Sequence, residues 1–232
     1  MRKAVVINGS PRAERGNTAR LLAPFIEGME AAGAEVRLFH AAHMTIKPCS
    51  GELHCWFENP GHCIHTDEME VLYPLLRQAE TLVLATPVYI PLPGEMQNFL
   101  NRLCPLVEPV LETRDGRTQA RFRPDVIIAR IALVATSGWW EAGNCDTVVH
   151  IAQELAAKAG VEFGGALLRS HADLIWEEGK PTEKGQVVLE AVRRAGNELI
   201  ASGSISQKTL IAAGKPLCGQ EKYRLTWNRS SG

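Results

Sequence analysis

Apolar positions along the chain follow two periods, and the two alternate. Short continuous apolar runs such as "AVVI" (Ala4–Ile7) and "TLVLATP" (Thr81–Pro87) are what strands covered on both faces require. Between them, apolar residues recur every three to four positions. Leu21, Leu22, Phe25, Ile26 and Met29 form one helical stripe in "TARLLAPFIEGMEAAG", with Gly33 as its stop and Pro24 predicting a kink beyond the first turn. "EVRLFH" (Glu35–His40) predicts the second strand. Thr66 stands where it can cap a helix opened by Asp67 and Glu68, whose Leu72, Leu75, Leu76 and Ala79 face inward. "EMQNFLNRL" predicts a short helix after the third strand, and "VIIARIALVAT" (Val126–Thr136) carries the fourth. An amphipathic helix using Val148, Ile151, Ala152 and Leu155 follows, then "EFGGALLR" as a fifth strand. Residues 183–201 predict a last helix with Val188, Val192, Ala195 and Leu199 on one face.

Two stretches break the alternation. Residues 105–125 are rich in proline and arginine and read as an excursion. From Ser204 the pattern dissolves into a polar tail carrying Tyr223 and Trp227, either frayed or docked on a neighbouring subunit. The expected organisation is one α/β domain over residues 1–203, with a tail over 204–232. Five short strands separated by helices predict a doubly wound five-stranded parallel sheet with helices on both faces. In the flavodoxin-like order 2-1-3-4-5, a ligand binds at the carboxyl ends of the strands, where the order reverses. The loops after strands one, three and four should therefore build the site.

Composition narrows the classes. The 232 residues carry 45% hydrophobic and 22% charged residues, which suits one globular core. A formal net charge of -1 leaves no electrostatic footprint for nucleic acid. The apolar run in "MRKAVVINGS" is too short for a signal-peptide core, and no run approaches the roughly 20 apolar residues of a membrane helix. A cytoplasmic, reducing location is the expectation, where clustered cysteines are ligands, catalysts or core residues rather than disulfides.

The first loop, "NGSPRAERGNTAR" (residues 8–20), offers Ser10, Asn17 and Thr18 as donors, the backbone N–H groups of a helix start, and Arg12 and Arg15. Convergent donors at the positive end of a helix dipole suit a phosphate. The letters match neither G-x-G-x-x-G nor G-x-x-x-x-G-K-[ST], so a Rossmann dinucleotide site or a P-loop is not read here. The second loop, "TPVYIPLPGEMQNFLNR" (86–102), is stiffened by Pro87, Pro91 and Pro93, and its backbone can meet the edge of a flat heterocycle. Tyr89 lies either beside that ring or in the loop's own packing. In the third loop, "TSGWWEAGNCD" (136–146), Ser137 and Gly138 allow close backbone approach. Trp139 or Trp140 is an aromatic wall, or the pair divides into a core and an interface residue. A phosphate cradle with two loops suited to a planar ring describes a flavin mononucleotide (FMN) site.

The combination "GSPR…GNT", "TPVY…P.GEMQNFLNR" and "TSGWWEAGN", in that order across most of residues 3–200, resembles the NAD(P)H-dependent FMN reductases of the flavodoxin-like superfamily, in particular the branch with iron–sulfur flavoproteins. The resemblance implies that Ser10, Arg12, Asn17 and Thr18 hold the FMN phosphate. It implies that Pro87, Val88, Tyr89 and Ile90 line the isoalloxazine, with Ser137, Gly138 and Trp139 closing it from the other side. It also implies hydride transfer from NAD(P)H through FMN to a small acceptor, a quinone or free flavin, in a homodimer or homotetramer whose second subunit covers the open flavin face.

The segment "PCSGELHCWFENPGHC" (Pro48–Cys63) tests the iron–sulfur branch. By the resemblance, Cys49, Cys55 and Cys63 stand at the first, third and fourth positions of a four-cysteine pattern. The second position is Glu52, and carboxylate is a poor replacement for thiolate at a cluster iron. The histidine spacing nearby matches no common zinc pattern. The expectation is a metal-free loop against the active site, packed by Trp56 and Phe57 and turned at Pro60-Gly61. Two other readings stay open beside the reductase. A flavodoxin-type electron carrier would present a strongly acidic face, which a net charge of -1 disfavours. A non-catalytic module would leave the phosphate loop without a task. His150 and His171 are assigned no role.

Overall fold

A computed structural model of the chain describes residues 2–114 and 116–230. Met1, Asp115, Ser231 and Gly232, which fall in the expected domain, its excursion and its tail, lie outside the described residues. Strand β1 (Arg2–Asn8) leads into helix α1 (Asn17–Ala31) and β2 (Ala34–His40). A one-turn helix α2 (His54–Phe57) precedes α3 (Met69–Gln78), β3 (Thr81–Pro87) and α4 (Gly94–Asn101). The excursion is an antiparallel hairpin of β4 (Val107–Arg114) and β5 (Arg117–Phe122). Then come β6 (Arg130–Ser137), α5 (Asp146–Ala159), β7 (Glu162–Ser170) and α6 (Glu183–Ser202). Where no pattern was legible, α7 (Gln207–Gly214) and α8 (Gln220–Ser230) follow.

The main sheet is parallel throughout, in the order β2-β1-β3-β6-β7. Counting only these five strands, that is the predicted order 2-1-3-4-5. Strand period two divides the core between the faces. Val5, Ile7, Leu82, Leu84, Ile131 and Leu133 point to one side, against α3, α4 and α5. Ala4, Val6, Val83, Ala132, Val134 and Leu167 point to the other, against α1 and α6. Helix α1 runs unbroken through the buried Pro24. It meets α6 at backbone distance, because a Cβ on Gly28 would sit 1.8 Å from the Arg193 carbonyl O and one on Gly196 1.9 Å from that of Phe25. Nothing larger than glycine fits either position.

Three boundaries move for physical reasons. Helix α3 starts at Met69, because Asp67 and not Thr66 supplies the cap: its carboxylate accepts from Met69 N at 3.1 Å. The same carboxylate accepts from Lys47 N and pairs with the fully buried Arg102 at 2.6 Å and 3.1 Å. Burial opposes the charge, yet the Arg102 hydrogen bonds hold the Asp67 carboxyl below its ordinary range. That pair ties both ends of the cysteine-bearing loop to the end of α4 (Lys47 O also accepts from Arg102). The fourth strand starts only at Arg130, and Val126 and Ile128 instead pack into the core from the preceding loop.

The C-terminal segment is part of the core. Ile205, Ala213 and Leu217 are buried with α6 and β7 residues. Arg169, fully buried on β7, donates to the carbonyls of Ala213 and Lys215, each at 2.9 Å. Burial pulls its pKa down to about 10. His171 Nε2 accepts from Leu217 N at 3.2 Å.

Candidate functional site

The strand ends of β1, β3 and β6 and the loops leaving them open into one pocket of about 300 Å³. Its lining includes Ser10, Arg12, Asn17, Thr18, Pro87, Val88, Tyr89, Ser137 and Gly138, so nine of the eleven residues expected at an FMN site meet there. The other two stand apart. Ile90 is wholly exposed, and Trp139, 67% exposed, lines a neighbouring cavity.

The turn after β1 is shaped from within. The buried Asn8 accepts from Ser10 N at 3.0 Å through its amide oxygen, and its amide nitrogen donates to Ala13 O at 3.3 Å. Ser10 Oγ accepts from Arg12 N at 3.3 Å. Asn8 Nδ2 also lies 3.0 Å from His40 Nδ1, so that ring nitrogen is the acceptor and the imidazole is neutral. Burial lowers the His40 pKa in the same sense.

At the start of α1, Gly16 is the N-cap residue and no side chain caps the helix, so its first N–H groups stay available to a ligand. A Cβ on Gly16 would lie 2.7 Å from Ser10 Oγ and fill the cradle. Among the described residues the Arg12 guanidinium makes no ion pair, and it lines the pocket. Thr18 Oγ1 and Thr136 Oγ1 are 2.8 Å apart and buried, which locks α1 to the end of β6. A hydroxyl, uncapped helix N–H groups and an unpaired guanidinium around a small hollow fit a phosphate monoester. The floor continues over Pro87 and Val88, held by Val88 N donating to Thr136 O at 2.8 Å, to Ser137 and Gly138. A phosphate cradle joined to an open, mostly backbone floor fits FMN.

Four further lining residues escaped the sequence reading: Thr136, Ala172, Asp173 and Trp227. Thr136 ends a predicted strand and was legible as such. Ala172 and Asp173 follow β7, a loop for which no ligand role was read. Trp227 arrives from α8, an element without a readable apolar stripe. Tyr223 anchors that helix by donating to the Gly138 carbonyl O, and His171 packs between the rings of Trp140 and Tyr223, 6.3 and 5.5 Å away. Burial beside the Arg169 guanidinium pushes the His171 pKa down to about 4.

The cysteine segment lies elsewhere. No residue of 48–66 lines the pocket; the expectation of a loop against this site is corrected by the Asp67–Arg102 pair, which holds the segment beside α3 and α4. Trp56 is half-buried and donates to Cys104 O at 2.9 Å, whereas Phe57, expected to pack, is 68% exposed. Cys104 thereby joins Cys55. Burial, with the Cys104 and Cys63 thiols close by, pushes Cys55 up to about 11, so it is a neutral thiol at pH 7. Among the described residues no three His, Cys, Asp or Glu side chains converge as metal ligands. With Glu52 in the second position, this donor set does not fit an iron–sulfur cluster. No described helix is long and apolar enough to cross a membrane.

Residues 2–139 match the model of the family described as NADPH-dependent FMN reductase, more than half of the chain. An iron–sulfur flavoprotein of Archaeoglobus fulgidus is 34% identical over 104 residues, 44% of this chain and 46% of that protein. An iron–sulfur flavoprotein of Methanocaldococcus jannaschii is 28% identical over 105 residues, 45% of this chain and 53% of that protein. The matched stretch thus spans about half the length of these curated relatives. Among solved structures, the NAD(P)H:quinone oxidoreductase from Methanothermobacter marburgensis superposes with a TM-score of 0.62 at 15% identity, over 86% of this chain and 98% of that one. An FMN-dependent NADH-azoreductase from Bacillus anthracis, in complex with FMN, gives 0.57 at 14% identity, over 86% of this chain and 100% of that one. At such identities the likeness is one of fold.

Proposed function

The chain belongs to the NADPH-dependent FMN reductase family, and from that premise we propose that it is a flavodoxin-like oxidoreductase passing hydride from NAD(P)H through bound FMN to a small acceptor such as a quinone or free flavin. The observation that carries this reading is the hollow at Gly16, where Ser10, Arg12 and the uncapped start of α1 converge on a volume that a single methyl group would fill.

Bound there, FMN supplies the hydride acceptor and donor chemistry, so the protein needs no acid–base pair for the reaction. Its own residues bind and orient. Ser10, Asn17, Thr18 and Arg12 take the phosphate, and the dipole of the 15-residue α1 favours the negative charge. Pro87, Val88 and Tyr89 line one edge of the ring, and Ser137 and Gly138 approach it from the other. Tyr89 is 53% exposed, so it borders the open side through which a second ring can enter. Alignment of reacting rings at about 3–3.5 Å supplies much of the rate in such exchanges. A homodimer or homotetramer belongs to the same reading, and light scattering tests it.

The decisive experiment is a flavin titration of cofactor-free protein followed by addition of NADPH. The expected outcome is one FMN per chain, a yellow protein, and bleaching by NADPH. Arg12→Met should weaken FMN three- to tenfold, about 1 kcal/mol for an exposed charged hydrogen bond, and flatten the salt dependence. A protein that stays colourless with excess FMN ends the redox assignment; a yellow protein indifferent to both NADH and NADPH makes it an electron carrier.

A further inference from the structure

A second cavity, about 230 Å³, adjoins the pocket and shares Gly138 and Trp227 with it. It lies between the loop after β6 and α8, so most of it is built by chain beyond residue 139, outside the family match. Its walls are aromatic: Trp139, Trp140, Tyr223 and Trp227. Two of these are committed to the framework. Trp140 Nε1 donates to Cys218 O at 3.0 Å, and Tyr223 donates to the Gly138 carbonyl O. The other two face the opening, with Trp139 67% and Trp227 48% exposed. Large aromatic side chains left open to water beside a concave site mark a recognition surface.

Charge selects the occupant. Arg224, the cation of the lining, is bidentate with Glu221 at 2.7 and 3.0 Å. Glu141 accepts from Gln220 at 2.6 Å. With the lining's cation already paired, nothing here holds a phosphate, in contrast to the cradle at Arg12. The volume suits one or two fused rings and is too small for a dinucleotide.

We propose that this cavity seats the electron acceptor, an uncharged planar ring of the 1,4-quinone class, between the side chains of Trp139 and Trp227. The inference rests on the FMN reading and sharpens it by excluding a phosphorylated acceptor. In the net reaction NADPH supplies a hydride and solvent one proton; the quinone leaves as the hydroquinone and the nucleotide as NADP+.

The test titrates oxidised, FMN-loaded protein with 1,4-naphthoquinone by calorimetry, and compares naphthoquinone with ferricyanide as oxidant after reduction by NADPH. The expected result is one binding site whose Kd rises at least tenfold in Trp139→Ala, with the naphthoquinone-to-ferricyanide turnover ratio falling by a similar factor. Trp139→Phe should restore most of both, and Phe57→Ala, remote and exposed, should change neither. An unchanged Kd and ratio in Trp139→Ala overturns the proposal. So does a dimer in light scattering that Trp139→Ala dissociates, because the aromatic face then belongs to a second copy. If the protein takes up no FMN, the flavin reading fails on its own. Calorimetry on that cofactor-free protein still decides the cavity: heat lost in Trp139→Ala supports it, and equal heat in both proteins sinks it.

Discussion

On one side of the pocket, the turn from Gly9 to Thr18 is held by bonds between neighbours in the chain. Ser10 N to Asn8, Arg12 N to Ser10 and Asn8 to Ala13 span two to five residues. On the other side, α8 and the loop after β7 are held by bonds between distant residues. Arg169 reaches Lys215 across 46 positions, and Tyr223 reaches Gly138 across 85. The first wall needs little beyond a strand before it and a helix after it. The second exists only when β7, α7 and α8 have all docked, and its polar anchors are buried. Damage to the first should therefore appear as lost ligand affinity, and damage to the second as lost stability.

The largest effect should follow Arg169→Met. It removes the donor to Ala213 O and Lys215 O and leaves both carbonyls unpaired inside the molecule. A broken buried charged network of this kind costs about 3–5 kcal/mol. Urea unfolding should show that loss, and limited proteolysis should cut after residue 203. If the variant instead keeps wild-type stability and simply loses FMN, the division between the walls is wrong.

Acid should reach the same wall by another route. The unfolded chain protonates His171 near the usual 6.5, while the folded chain resists down to about 4, chiefly through burial. The unfolded state thus binds more protons in that interval, and stability must fall as pH drops from 6.5 towards 4. The ceiling is about 3 kcal/mol. A proton on Nε2 would also abolish the acceptor for Leu217 N and oppose the Arg169 guanidinium. His171→Asn, which keeps an acceptor and tolerates the positive φ of 38° at this position, should remove this part of the pH dependence of the urea midpoint. An unaltered pH profile in that variant would show that another group is responsible.

The smallest effect on stability, and the sharpest on binding, belongs to Gly16→Ala. The backbone there has φ −79°, so alanine adds no strain, but its Cβ would press on Ser10 Oγ. FMN affinity should fall about tenfold, ~1.4 kcal/mol, while the urea midpoint stays near wild type. Equal affinity in this variant would place the phosphate outside the turn.

The same contrast explains what could be read from the letters. "GSPR…GNT" announces a strand-to-helix turn because Gly, Ser, Pro and Asn act through local backbone preference. The sheet order followed from apolar runs spaced by amphipathic stripes, and Val5/Ile7 against Ala4/Val6 already divides the two faces. By contrast, Asp67 carries no mark that it will meet Arg102, nor does His171 that it will lie beside Arg169 and receive Leu217 N. Trp227 sits in a helix with one strongly buried aromatic, Tyr223, which seats on a loop and not on the main core. Such a helix lacks the wide apolar stripe that periodicity detects. Cys104 looked too distant to matter until the bolt at Asp67 brought residues 48–66 against the end of α4.

From the amino-acid order alone came the alternating elements, the parallel sheet, the phosphate turn and the three loops that carry the pocket's floor. These depend on side-chain period and on backbone preferences a few residues long, which the chain carries wherever it is. Folding in three dimensions decided the rest: the docking of residues 204–230, the buried Arg169–His171 anchor, the withdrawal of the cysteine loop, and the pairing of Trp139 with Trp227 around a second cavity. Each of those is a meeting of residues far apart in the chain, and its energy comes from burial, which no single residue possesses until the others surround it.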